Sequence, residues 1–248
     1  MKKRIISAIV AAVIAIPLIF LGGYFFAAFA CVLAALAYKE IVDLKESHHK
    51  FPMLMTFLGF LVMIILVLSN NVDASIYKGI TYQTIALILL ALMLPTIFYG
   101  KNKYNTSDAF YLIGVVLLLG IVFNTFIVLR NRGLELFLYL LIVPMVTDIF
   151  AMLGGKYLGS NKMCPKLSPH KTWEGSICGL LGGSIIGIIF YCIFVGTFSV
   201  RIILVTFILS IIGQMGDLVM SKIKRENEIK DFSNIMPGHG GILDRLDS

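Results

Sequence analysis

Eight apolar stretches, near residues 5–21, 24–38, 52–69, 80–99, 109–129, 134–153, 175–196 and 200–220, run through this chain with short polar segments between them. A bilayer core of roughly 30 Å takes about 20 helical residues, so all but the short second stretch fit a membrane-spanning helix well. Gly22-Gly23 parts the first two stretches and predicts a very tight helical hairpin, because a single helix over 5–38 is longer than tilt can absorb. Lys39–Lys50 mixes charge with apolar residues and predicts an interfacial helix. Pro17, Pro95 and Pro144 fall within spans, where kinks are tolerated.

Composition agrees with that pattern. The 248 residues are 58% hydrophobic and 14% charged, with mean hydropathy +0.92. The class is an all-α, polytopic integral membrane protein. With the N terminus inside and eight spans, the cytoplasmic segments are 1–4, 39–51, 100–108, 154–174 and 221–248. They carry 17 of the 21 Lys and Arg residues, leaving Lys78, Arg130, Arg132 and Arg201 on the other side. The net charge of +7 therefore reports orientation in a cytoplasmic membrane rather than a nucleic-acid partner. The first stretch lacks a clear small-residue cleavage site and runs straight into a second span, unlike a signal peptide. Cys31, Cys164, Cys178 and Cys192 show no disulfide or metal-ligand spacing. His48-His49 point apart on a helix and read as a solvated end.

The chain has two halves of different character. Residues 1–138 read as lipid-facing helices, with the interfacial helix near 39–50. Residues 139–248 read as the half that does chemistry, with polar loops 154–174 and 221–248 on one face of a cytoplasmic-facing cavity. Asp148 and Asp217 lie at the ends of spans in that half, where an ionised group costs about 2.5–3.5 kcal/mol unless it faces a polar cavity. Glycines cluster beside them, as close approach of helices or ligands requires.

Two segments hold the candidate chemistry. In the loop, Ser168 or Thr172 can cap the helix that follows, and Lys171 puts a cation where the helix amides would attract a phosphate. The same residues also read as an ordinary positive-inside loop, with Glu174 complementing the helix dipole. At the far end, Asp217, Ser221 and Lys224 share one helical face. Lys230-Asp231 precedes Pro237-Gly238-His239-Gly240-Gly241, whose glycines can turn backbone amides toward phosphate oxygens. Asp244 and Asp247 follow, with Arg245 between them. Singly, each has a bland reading: Lys224 and Arg225 end a span, Asp244 and Asp247 cap a helix, and His239 spaces a turn. Together, hard oxygen ligands beside phosphate-binding cations suit Mg²⁺-assisted phosphoryl or nucleotidyl transfer. The tail balances five Lys and Arg against five Asp and Glu, unlike a purely lipid-gripping tail.

The order S-x-I-K-R-x4-K-D-x-S-x3-P-G-H-G-G-I-x-D-R-L-D, from Ser221 to Asp247, resembles the motif of phosphatidate cytidylyltransferases (CDP-diacylglycerol synthases). S-P-x-K-T-x-E-G at Ser168–Gly175 and G-D-L-x-x-S-x-x-K-R at Gly216–Arg225 are similar to that family too. The resemblance implies transfer of the cytidylyl group of CTP to phosphatidate at the cytoplasmic face, with Mg²⁺ and room for a monovalent cation. It implies Asp217 and Asp244 as metal ligands, with Asp247 and Asp231 as lesser candidates. Lys171, Lys224, Arg225, Lys230 and Arg245 would hold phosphates, with Ser221 and His239 lining the same site. Asp217, Asp244, Lys224 and His239 are the expected catalytic set; Ser168, Thr172, Glu174, Gly240 and Gly241 join the substrate-binding set. The resemblance also implies a ninth apolar span after Ser248 and leaves a homodimer open. A polyprenol- or other lipid-directed CTP-dependent transferase or kinase is the nearest rival. A proton-coupled transporter would need repeats and two-sided polar access, which the sequence does not display.

Overall fold

The structure, a computed structural model, describes residues 2–46, 50–69, 82–100, 103–165, 167–236, 238 and 240–247. Lys78, Lys166, His48, His49 and His239 lie outside the described residues. Nine α-helices are present among the described residues: α1 (Lys2–Leu21), α2 (Gly23–Glu46), α3 (Met53–Leu68), α4 (Tyr82–Met93), α5 (Pro95–Phe98), α6 (Thr106–Arg132), α7 (Leu134–Tyr157), α8 (Trp173–Phe194) and α9 (Val200–Glu226). Five of them, α2 and α6 to α9, are long and apolar enough to cross a bilayer, and three shorter apolar segments stand at 7–21, 53–68 and 85–98. The chain is a multi-pass, all-α membrane protein. Its packing divides into two compact units, Met1–Arg132 with Phe232–Leu243, and Gly133–Asp231 with Asp244–Ser248.

Local chemistry sets the helix ends in the first unit. Gly22 and Gly23 take φ of 66° and 52°, the left-handed region that breaks the helix and lets α1 turn into α2. Arg130 fastens that turn from α6, donating from Nε to the Ile19 carbonyl at 2.5 Å and from a terminal nitrogen to Phe20 at 2.8 Å. Pro95 offers no N–H, so the fourth apolar stretch divides into α4 and α5. Asn105 and Asp108 exchange side-chain and backbone bonds of 3.1 and 3.0 Å, a reciprocal cap that starts α6 three residues before the apolar run. The helix expected near 39–50 is not a separate element. No Gly or Pro interrupts Lys39–Glu46, and Glu40 and Val42 are buried, so α2 simply continues to Glu46. Gly240 and Gly241 are buried within this unit.

The second unit is built on a glycine row. Gly175, Gly179, Gly183 and Gly187 fall at four-residue spacing on α8 and are buried. Ile177, Leu181, Ile185 and Ile189 occupy another face and are exposed, as lipid contact requires. A Cβ at Gly179 would lie 2.7 Å from the Thr147 carbonyl oxygen of α7, and one at Gly187 2.7 Å from Val143. Hydroxyls then pin α9 to α7: Tyr139 to Thr206 at 2.7 Å and Thr147 to Ser210 at 2.9 Å. Such bonds hold apolar helices together where no hydrophobic force distinguishes a helix from lipid. Between α7 and α8 the polar loop forms a two-stranded antiparallel hairpin, β1 (Lys162–Cys164) and β2 (Ser168–Thr172). The sequence pattern did not announce it, because three- and five-residue strands carry too little alternation to read.

Gly179→Leu is expected to force α7 from α8 and cost about 1–3 kcal/mol. Thermal unfolding in detergent should show a lowered midpoint, whereas Gly114→Ala, whose Cβ meets nothing within 4 Å, should leave it in place.

Candidate active site

Three segments of the second unit converge. β2 ends in Lys171 and Thr172; Thr172 is the N-cap of α8, its Oγ1 accepting from the Gly175 amide at 3.1 Å. That cap fixes the place where the hairpin meets the helix, and so the reach of Lys171. α9 runs six residues past the apolar stretch to Glu226, which puts Asp217, Ser221 and Lys224 on one unbroken helix. The tail contributes Asp244, in a 3₁₀ turn over Leu243–Arg245, and Asp247 after it.

The charges meet in pairs. Lys171 Nζ stands 2.5 Å from Asp217 Oδ2. Lys224 Nζ donates to Asp244 Oδ1 at 2.9 Å and reaches Asp247 Oδ2 at 3.7 Å. Ser221 Oγ donates a long bond of 3.4 Å to Asp217 Oδ1. The Lys224–Asp244 pair is nearly dry, with side-chain exposures of 13% and 3%. Charges so placed hold only if each is compensated. Asp247 shows the strain of the arrangement: burial, then the neighbouring Asp217 charge, pushes its carboxyl up to about 6, with Lys224 pulling the other way and Asp244 adding to the rise. A further cation brought to this face would oppose that rise, as Lys224 does.

Some of these groups border a cavity of about 640 Å³, whereas Ser221, Lys224 and Asp244 are not in its lining. Lys171, Thr172, Asp217 and Asp247 line it, together with Asp148 from α7, His170, and a cationic rim of Lys156 and Lys162. Ser176 and Gln214 close its inner wall, bonded to each other at 2.5 Å between α8 and α9. The volume suits a nucleotide or a lipid headgroup. Among the described residues, no three His, Cys, Asp or Glu side chains already form a metal-binding cluster; lysine ammonium groups occupy the carboxylates instead.

The remaining expected residues lie as follows. Glu174 turns to the loop, where one carboxylate oxygen accepts from the Asn161 side chain at 2.7 Å and both accept from backbone amides of Ser160 or Asn161 at 3.2 Å. It braces the loop that leads into the hairpin. Ser168 pairs with Cys164 at the start of β2. Arg225, Lys230, Asp231 and Arg245 are exposed. Gly240 and Gly241 belong with the first unit. Asp148, expected to face a polar cavity, lines this one, as do His170 and Gln214, which no expectation placed in the site. Asp148 was visible as a charge at the end of a span, His170 lies inside the S-P-x-K-T-x-E-G motif, and Gln214 stands two residues before Gly216-Asp217.

A family model described as the cytidylyltransferase family matches residues 2–248. A phosphatidate cytidylyltransferase of Staphylococcus haemolyticus (strain JCSC1435) is 36% identical over 251 residues, spanning 100% of this chain and 94% of that protein. Proteins of the same name from Staphylococcus aureus (strain COL) and Staphylococcus epidermidis (strain ATCC 12228 / FDA PCI 1200) are 35% and 33% identical, with the same coverage.

Removing one partner of a dry ion pair leaves a naked charge. Lys224→Met is expected to lower stability by about 3–5 kcal/mol. Lys222→Met should cost under about 1 kcal/mol, because its pair with Glu226 is mostly exposed, at 61% and 63%. Denaturant or thermal unfolding of the two variants side by side measures the difference.

Proposed function

This chain belongs to the cytidylyltransferase family, and we propose that it transfers the cytidylyl group of CTP to phosphatidate, giving CDP-diacylglycerol and pyrophosphate. One observation carries the reading beyond the family: a lysine from β2, a carboxylate from α9 and a carboxylate from the tail face one cavity, all within the recognised motifs. The relatives' name, phosphatidate cytidylyltransferase, supplies the acceptor and the group transferred.

In the proposed reaction a phosphate oxygen of phosphatidate forms a bond to the α-phosphorus of CTP. The bond from that phosphorus to the oxygen bridging to the β-phosphate breaks, and pyrophosphate leaves with the electron pair. The nucleophile is already anionic at neutral pH, so no strong base is needed, and positioning with charge compensation carries the rate. Lys156, Lys162 and Lys171 offer the triphosphate a cationic rim, with His170 beside them. Ser221 and the Ser176–Gln214 pair present polar atoms among apolar walls.

Hard carboxylate oxygens in a set of three suit a divalent cation such as Mg²⁺. Asp217, Asp244 and Asp247 are the proposed ligands. Asp231, exposed on the tail, is the weaker candidate. When bound, the ion supplies Lewis-acid stabilisation of phosphoryl oxygens. The excess of Lys and Arg in segments 1–4, 39–51, 100–108, 154–174 and 221–248 supports a cytoplasmic N terminus and a cytoplasmic site in the inner membrane.

The test is release of radiolabelled CDP-diacylglycerol from CTP and phosphatidate, with and without chelator. Asp217→Asn and Asp244→Asn should each abolish transfer while the protein still inserts, and chelator should do the same to the unmodified chain. Arg201→Gln, assigned to the opposite face, should change little. Full activity in either Asn variant would remove the ligand assignment, and no product from the unmodified chain would remove the reaction.

A further inference from the structure

One carboxylate of the first unit is buried where the α2 pattern predicts a small apolar residue. Phe26, Ala30, Ala34 and Ala37 form a buried row at three- and four-residue spacing, and Glu40 continues it at 2% exposure. A lone buried carboxylate on such a face is costly unless donors surround it. Among the described residues, three donors come from the tail segment Phe232–Leu243 of the same unit. Ser233 Oγ donates to Glu40 Oε1 at 2.6 Å, the Ile242 amide to Oε1 at 2.8 Å, and the Leu243 amide to Oε2 at 2.9 Å.

The segment is shaped to make those contacts. Met236 and Gly240 exchange backbone bonds of 2.9 and 3.1 Å, which closes the turn. Gly238 and Gly240 sit at φ of 81° and 86°, where other residues are strained. A Cβ on Gly241 would come within 2.7 Å of the Glu40 carboxyl carbon, so only glycine leaves room for the carboxylate. The peptide bond after Leu243 leads into Asp244, and Leu243, Asp244 and Arg245 make one 3₁₀ turn. The amide held by Glu40 therefore belongs to the same turn as the carboxylate that accepts from Lys224.

We infer that Glu40 is a positioning residue for this reaction: it clasps the motif segment Ser233–Leu243 and so sets the backbone from which Asp244 is presented. The inference rests on the function proposed above. A carboxylate is required rather than any polar group. Three donors meet two oxygens, and Glu40→Gln would turn an NH₂ toward one of those donors, leaving both groups unsatisfied. Ser233→Ala removes one donor and leaves the two amide bonds.

The experiment uses the full chain in nanodiscs and reads two quantities for Glu40→Gln and Ser233→Ala. The first is hydrogen exchange at the Ile242 and Leu243 amides. Exchange should accelerate strongly in Glu40→Gln and slightly in Ser233→Ala, with the thermal midpoint of the helices little changed. The second is steady-state transfer from CTP to phosphatidate. In Glu40→Gln, kcat should fall about 10–100-fold, the range seen when a supporting partner of a site is lost, while KM for CTP stays near the unmodified value. Ser233→Ala, which keeps the fold if Glu40→Gln does not, should show a smaller loss of the same kind. Unchanged exchange and unchanged kcat in both variants overturn the inference, as does a loss of activity that only follows a lowered thermal midpoint. If the unmodified chain makes no CDP-diacylglycerol, the proposed function fails, and the exchange rates still decide whether Glu40 holds the segment.

Discussion

A carboxylate at the edge of an apolar helix bundle has to be given a cation or hydrogen-bond donors, and the polar architecture of this chain follows from that need. Asp217 has Lys171, Asp244 and Asp247 share Lys224, and Glu40 has a hydroxyl and two amides. The glycine row of α8 serves the same end indirectly. By drawing α7 and α8 together it fixes the hairpin that delivers Lys171. Stability and the proposed chemistry thus fall on the same residues. The lysines neutralise carboxylates in the free protein, and the same carboxylates are the proposed ligands of a divalent ion.

Much of this was legible in the sequence. The apolar stretches located the helices because the bilayer imposes length and leaves no other way to satisfy the backbone. Gly22-Gly23 marked the hairpin through the only residue type that enters the left-handed region freely. Asp217, Ser221 and Lys224 were placed on one face by helical period alone, and α9 keeps that period through Glu226. The two lysines were read as phosphate ligands, and the structure shows what spacing could not: each is already engaged by a carboxylate. Which carboxylate a lysine meets is a tertiary fact.

Other features were hidden for physical reasons. The β1–β2 hairpin is too short to show a period. Glu174 looked like a substrate or dipole residue because it follows a cap, yet its oxygens are taken by Ser160 and Asn161. Glu40 was the larger omission. It was grouped with a mixed-charge surface segment, although its spacing from Ala34 and Ala37 put it on the buried row. A charge in phase with small buried residues is the signal that finds such an anchor.

The central claim is that these carboxylates tolerate their dry setting through cations that a divalent ion can join. The direct measurement is the thermal midpoint of the purified chain in detergent as MgCl₂ is added, with no nucleotide or lipid substrate present. A ligand that binds only the folded state must raise that midpoint. The account predicts a saturable rise for the unmodified protein that disappears in Asp217→Asn and in Asp244→Asn. An equal rise in those variants, or none in the unmodified protein, would contradict it.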